Sequence, residues 1–323
     1  MSNDDEERAA SAAPKRVPLP ILTATVLTFA LAAGCGAGPT FDDTSGGIPP
    51  TTELALSPNG QQLLVSWREK ASKTQAKLLT LSGKTVTAVR DVSLPADTYT
   101  TAWSRSDHNV LVTTLHNDAS ELLRIDLRGD VRTVLHKSAS RMRFPLEVGE
   151  DNYVFLEANE PGGRYSHWQR LQSGQKILLN DKSYSMAAPL DHVQGSLFTL
   201  EPRNPAIFRV FQGQLPMGLS ALIDASTWTI TCADKSPLTC VRTHVYFDPS
   251  GRTFGTMEIF NGSRRCDIGG RWLDVREIQV SRDGSTVVFH APLTNVSGPR
   301  AIYVVNNDNV DCSPVQINIQ GSK

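Results

Sequence analysis

Three observations predict an all-β fold closed as a ring of six four-stranded blades. A strand–turn–strand phrase recurs six times, its spacing averages about 45 residues, and no segment longer than about ten residues after position 50 keeps helical periodicity. The clearest copy spans residues 280–289, with an Arg282-Asp283-Gly284 turn between two apolar runs. Asp-Gly suits that turn because glycine accepts positive φ and aspartate bonds its own backbone. The other copies are residues 54–65, 101–112, 144–155, 188–199 and 245–255. Counted from the apolar residue before each turn (Leu56, Trp103, Leu146, Leu190, Phe247, Val280), the intervals are 47, 43, 44, 57 and 33. A four-stranded propeller blade takes about that length. A β-sandwich with chance Asp-Gly hairpins is the competing reading, but a sandwich needs no such period.

The chain of 323 residues begins with a polar stretch, acidic at residues 4–7 and basic at Lys15 and Arg16. Residues 17–33, VPLPILTATVLTFALAA, carry no charge. Seventeen residues opening on two prolines are short for a spanning helix, which wants about 20, and suit the apolar core of a secretory signal. The run closes on residues 31–35, LAAGC. This resembles the lipobox of bacterial lipoproteins, which implies a diacylglycerol on the Cys35 thiol and cleavage after Gly34. The competing reading is an uncleaved anchor helix. By the same resemblance, Gly36 after the cysteine is similar to the outer-membrane-sorted class if the host is Gram-negative. Residues 1–34 are thus read as a signal peptide. Residues 35–50 are the lipidated cysteine and a Gly/Pro/Ser/Thr tether, and residues 51–323 are the propeller.

Further strands follow each phrase. Residues 121–127 and 131–136 flank an Arg-Gly-Asp turn, residues 165–171 and 175–179 flank Gln-Ser-Gly, and residues 301–305 and 315–319 flank an Asn/Asp-rich turn. A blade buries both faces against its neighbours, so the ring alone completes the core. The residues three before each turn-flanking apolar residue are Glu53, Thr100, Arg143, Ala187, His244 and Glu277. In a six-bladed ring they converge on one mouth of the axial channel, as a polar funnel or as ordinary solvated strand starts.

The Ser-Pro-Asn-Gly turn at residues 57–60, with residues 248–251 and 281–284, resembles the WD40-like repeat of the TolB C-terminal propeller. That resemblance covers about residues 51–319 and implies a six-bladed propeller fold. It carries over no partner-binding loop, because residues 36–50 are too short for the α/β domain that precedes the propeller in TolB.

With Cys35 assigned to lipid, Cys232, Cys240, Cys266 and Cys312 remain, an even set that would oxidise beyond the membrane. Cys232 and Cys240 flank a loop short enough for a hairpin bridge, which leaves Cys266 with Cys312. This is the most local of three connectivities. A four-cysteine metal site lacks any C-x₂-C pair.

Lys+Arg is 32 against Asp+Glu 33, and aromatics are 7% with no basic–aromatic interleaving, so nothing favours a nucleic-acid partner. No H-E-x-x-H, G-x-S-x-G or P-loop occurs, and the seven histidines show no metal-ligand spacing. No catalytic residue, metal or other cofactor is expected. The expectation is a lipid-anchored protein of the bacterial cell envelope that binds an envelope protein or component without catalysis. The runner-up is a hydrolase or lyase using Glu53, Glu277, Arg143 and His244 in the funnel.

Overall fold

The computed structural model describes residues 48–49, 51–70, 73–158, 165–179, 191–194, 196–200, 208–214, 218–222, 227–234, 238–247, 253–262, 264–272, 275–292, 300–307 and 312–319. The expected signal segment, Cys35 and most of the tether lie outside them, as do Ala187, Leu190 and the turn at 248–251. The strands form six antiparallel sheets taken in chain order. The first holds β1 (Glu53–Leu56), β2 (Gln62–Lys70), β3 (Lys73–Ser82) and β4 (Thr85–Asp91). The second holds β5 (Thr98–Trp103), β6 (Asn109–Thr114), β7 (Ser120–Asp126) and β8 (Val131–Ser138). The third holds β9 (Met142–Gly149), β10 (Asn152–Ala158), β11 (Tyr165–Arg170) and β12 (Lys176–Leu178). Among the described residues the fourth has three strands, β13 (Asp191–Val193), β14 (Ser196–Leu200) and β15 (Phe208–Gln212). The fifth has β16 (Thr227–Cys232), β17 (Thr239–Phe247), β18 (Thr253–Asn261) and β19 (Arg264–Trp272). The sixth has β20 (Arg276–Val280), β21 (Thr286–Pro292), β22 (Arg300–Asn306) and β23 (Val315–Ile317). The chain is a six-bladed β-propeller.

The fifth blade corrects the expected register. Residues 245–255 span β17 and β18, the second hairpin, while the innermost strand is β16. The turn after β16 lacks glycine, whereas the Asp-Pro-Ser-Gly phrase one hairpin later is an equally good turn signal. Inner strands end at Leu56, Trp103, Gly149, Val193, Cys232 and Val280, so the intervals become 47, 46, 44, 39 and 48. The irregular 57 and 33 disappear. In the third blade Leu146 is likewise internal to β9, and the strand runs on to Gly149.

The core is a set of seams between blades. Leu54, Leu56, Leu63 and Val65 of the first blade pack with Val288, Ile302 and Val304 of the sixth. The first blade's other face, Ala55, Leu64 and Leu78, meets Trp103, Val110 and Val112 of the second. Equivalent seams join blades five and six, two and three, and four and five. The third and fourth share a smaller one around Val154 and Leu197. No blade has a private core, as the repeat requires.

Among the described residues the first and sixth blades are joined by a single antiparallel bridge between Ile48 and Arg300 and by the Arg282 N–H, which donates to Pro58 O at 2.9 Å. Disulfides Cys232–Cys240 and Cys266–Cys312 are present, with Cα–Cα distances of 4.0 and 6.2 Å. The first crosses β16 and β17 and so lies in the innermost hairpin of the fifth blade. The second ties β19 of the fifth blade to the segment before β23 of the sixth.

The recurring turn is built by its own side chains. The Ser281 hydroxyl donates to Asp283 Oδ1 at 2.6 Å, and accepts the Thr286 N–H at 2.9 Å; Asp283 Oδ1 also takes the Ser285 N–H at 3.0 Å. Ser57 and Asn59 reproduce these bonds in the first blade. Gly284 (φ +77°) also faces the neighbouring blade, and a Cβ there would lie 2.6 Å from Thr239 Oγ1. Gly284→Ala therefore combines left-handed strain with a clash between blades and is expected to cost about 2–4 kcal/mol in urea unfolding. Gly174 (φ +85°) has nothing within 4 Å, so Gly174→Ala is expected to cost only about 1–2 kcal/mol. Equal losses at the two sites would show that contact with Thr239 contributes nothing.

Candidate functional site: the strand-start mouth of the channel

Inner strands begin at one end of the channel, and there the ladder is irregular. Register shifts fall between Thr98 and Thr100, between Thr227 and Thr229, and between Arg276 and Gln279. In the third blade Arg143 faces Leu156 and Leu146 faces Val154, leaving two residues of β9 opposite one of β10. A bulge lets two successive residues face the same side, which an unbroken strand forbids. Phe144 (φ +49°) and Glu277 (φ +50°) take the left-handed conformation at these bulges, an uncommon state for side chains of their size that clusters at functional sites. As a result Tyr99 with Thr100, Arg143 with Phe144, and Arg276 with Glu277 all line one cavity of about 380 Å³, together with Thr51, Thr52, Glu53 and His290.

Three of these side chains stitch successive blades. Glu277 of the sixth blade accepts a backbone hydrogen bond from Leu54 of the first. Glu53 of the first accepts the Thr101 N–H of the second through Oε2 at 2.8 Å. Thr100 of the second accepts the Phe144 N–H of the third through Oγ1 at 3.2 Å. Burial, with the nearby Glu277 charge, pushes the Glu53 carboxyl up from the usual 4.5 to about 8, against the lowering effect of the Thr101 bonds and Arg68. Burial likewise lifts Glu277 to about 7, against its Leu54 bond, Arg276 and Arg300. At neutral pH the pair therefore holds at least one proton.

Behind them lies a cation–imidazole pair. Arg300 is 0% exposed, as is His290. Arg300 Nε donates to His290 Nδ1, which leaves the ring proton on Nε2, 3.1 Å from Thr52 O. Burial and the Arg300 charge push the imidazole down to about 3, so it is neutral.

Arg143 stands apart from this network. Its guanidinium lies 4.4 Å from the Tyr99 ring centre and 5.8 Å from that of Tyr165. Its Nε is buried with no hydrogen-bond partner. Tyr99 is also faced by Arg68, at 5.3 Å.

Four of the funnel residues read from the sequence, Glu53, Thr100, Arg143 and Glu277, thus meet in one cavity. His244 does not join them. It sits on β17, opposite Thr227, with its Nε2 3.5 Å from Glu258 Oε2. Burial raises the Glu258 carboxyl, but bonds from Arg242 and Arg265 override it and hold the group below its usual range. His290 occupies on β21 the place His244 has on β17, opposite the start of the inner strand, and lines the cavity. Sequence spacing missed Tyr99, Phe144, Arg276 and His290. A bulge leaves no mark in a period-two pattern.

At the turn end, Asp234 follows β16 and gathers side chains from three other blades. Arg282 Nη2 lies 3.2 Å away, His192 Nδ1 3.4 Å and Arg105 Nη2 3.6 Å, and the Gln194 N–H donates at 3.0 Å. Burial raises the Asp234 carboxyl, yet His192, Gln194 and Arg282 hold it lower than usual. Among the described residues no three His, Cys, Asp or Glu side chains are placed to share a metal ion.

Solved structures match the ring. TolB from Acinetobacter baumannii superposes with a TM-score of 0.50 at 11% identity, covering 84% of this chain and 67% of that one. The fold is that of the TolB propeller. The TolB-type ring also occurs in the acylaminoacyl peptidase of Pyrococcus horikoshii, with a TM-score of 0.50 and 11% identity over 83% of this chain and 45% of that one. The chain thus spans less than half of the peptidase's length. No protein-family model and no curated protein sequence matches the chain.

Proposed function

We propose that this chain is a non-catalytic binding platform, tethered in the bacterial cell envelope by an acylated Cys35, that receives a partner at the strand-start mouth. The observation that supports this reading is how the mouth carboxyls are used. Glu53 and Glu277 each accept a backbone N–H of the next blade, leaving aromatic rings and a guanidinium to line the opening. The LAAGC stretch at residues 31–35 supports the tether, and two disulfides fit an oxidising compartment. The partner is an envelope protein or component.

Crosslinked envelopes test the platform. Wild-type chain is expected to recover a partner that the Tyr99→Ala/Arg143→Ala double variant loses, while the double variant keeps the wild-type melting temperature. Recovery of only lipid-processing enzymes by the wild-type chain would overturn the reading. Globomycin tests the tether: processing should stop in its presence, and unchanged processing removes the Cys35 anchor.

One observation favours an enzyme instead. Glu53 and Glu277 share a cavity and interact electrostatically, as a hydrolase or lyase acid–base pair would. Turnover of a sugar or lactone substrate that Glu277→Gln abolishes would establish this second reading.

A further inference from the structure

We propose that the mouth binds a single carboxylate carried on an apolar or aromatic body, with the Arg143 guanidinium as its counter-ion. This rests on the binding-platform reading and names the chemistry of what is bound. Arg143 is the cation of the cavity with no assigned partner. No acidic side chain among the described residues lies within ion-pair distance of it, and its buried Nε donates to nothing. It is also remote in electrostatic terms. Arg68 lowers Glu53, and Arg276 with Arg300 lowers Glu277, so the cations that chiefly act on the two carboxyls are others than Arg143.

The rings of Tyr99 and Tyr165 both lie within cation–π reach of the guanidinium and restrict it without using its N–H donors. A buried N–H without an acceptor is unfavourable, and an incoming oxygen relieves it. Carboxylate and guanidinium geometries match in a two-bond pair.

The number and kind of charge follow from the neighbours. One uncommitted cation balances one negative charge. A protonated Glu53 or Glu277 can donate to a carboxylate oxygen, whereas a phosphate dianion would bring a second charge up to two acids. The ring of Phe144, re-aimed by its bulge, lines the same cavity and supplies contact for an apolar body. A volume of about 380 Å³ lies at the small end of ligand pockets, room for a small organic acid or the last residue of a peptide.

Titration calorimetry at pH 7 with four probes tests this on the intact chain: N-acetylphenylalanine, its amide, and the peptide Gly-Gly-Phe with a free or an amidated C-terminus. Each acid is expected to bind at least tenfold more tightly than its amide. Binding by the acetylated amino acid alone marks a small organic acid, and tighter binding by the free-acid peptide marks a chain terminus. Arg143→Gln should abolish the difference between acid and amide, and Arg143→Lys should retain part of it. Equal binding of acid and amide by wild-type protein overturns the proposal without reference to any variant. If acids bind but envelope crosslinking does not depend on the mouth, the platform reading falls and this inference stands. If crosslinking depends on the mouth but no acid binds, the inference falls and the platform stands.

Discussion

His290→Leu is expected to lower stability by about 3–5 kcal/mol, a fall in melting temperature on the order of 10 °C. The leucine removes the acceptor of Arg300 Nε and the donor to Thr52 O, both inside the protein. Arg300 itself is fully buried, and its bond to the His290 carbonyl, 3.2 Å from Nη2, cannot replace the lost ring nitrogen as acceptor for Nε. The damage falls where the ring closes. Arg300 pairs through its backbone with Ile48, and Thr52 leads into β1. His290→Gln offers one acceptor and one donor on a side chain of similar reach, so it should recover part of the loss. A leucine variant as stable as wild type would mean that the Arg300–His290 pair contributes nothing to closure.

Stability is expected to fall between pH 6.5 and pH 8.5, and Glu53→Gln is expected to remove much of the fall. In the unfolded chain both mouth carboxyls lose their protons near pH 4.5; in the folded chain Glu277 keeps its proton to about pH 7 and Glu53 to about pH 8. The folded state therefore binds more protons across that window, and stability declines as pH rises through it. His290 works in the opposite sense. Its folded value is depressed from 6.5 to about 3, so its contribution rises with pH from 3 to 6.5 and is complete above that. Between pH 4.5 and 6.5 the two carboxyls are opposed by His290 and by His136, whose imidazole burial also holds below its usual range, and above 6.5 only the carboxyls act. Asp234 and Glu258, both held below their usual range, lose their stabilising ionised form on the acid side. These groups together place the optimum below about pH 6.5. Melting curves should show wild type losing on the order of 5 °C by pH 8.5. Glu53→Gln keeps an acceptor for the Thr101 N–H and should be the more stable protein at pH 8.5. Parallel pH profiles for the two proteins would refute a Glu53 carboxyl raised by burial in the folded chain.

Much of the ring was legible in the sequence because a propeller repeats its turn chemistry. Ser57-Pro58-Asn59-Gly60 and Ser281-Arg282-Asp283-Gly284 are each wired internally, and their glycines face a neighbouring blade. The fifth blade misled because its real inner turn carries Asp234 and no glycine, while the next hairpin carries a better-looking phrase. Counting three residues back reached Glu53, Thr100, Arg143 and Glu277 because every inner strand starts at the same end. It missed Tyr99, Phe144 and Arg276, one residue away, because only a bulge can aim two successive side chains into one space. His290 escaped for another reason: it belongs to a second strand and reaches the mouth from behind Arg276.

The Asp234 cluster has a consequence for traffic through the channel. Arg105 belongs to the second blade and Asp234 to the fifth, which stand three blades apart and therefore on opposite sides of the ring. Their ion pair runs across the axis as a bar, braced by His192 and Arg282. If the mouth takes the ligand proposed above, that ligand meets this bar before the turn end, so Arg105→Ala is expected to open a second route of escape and speed its dissociation.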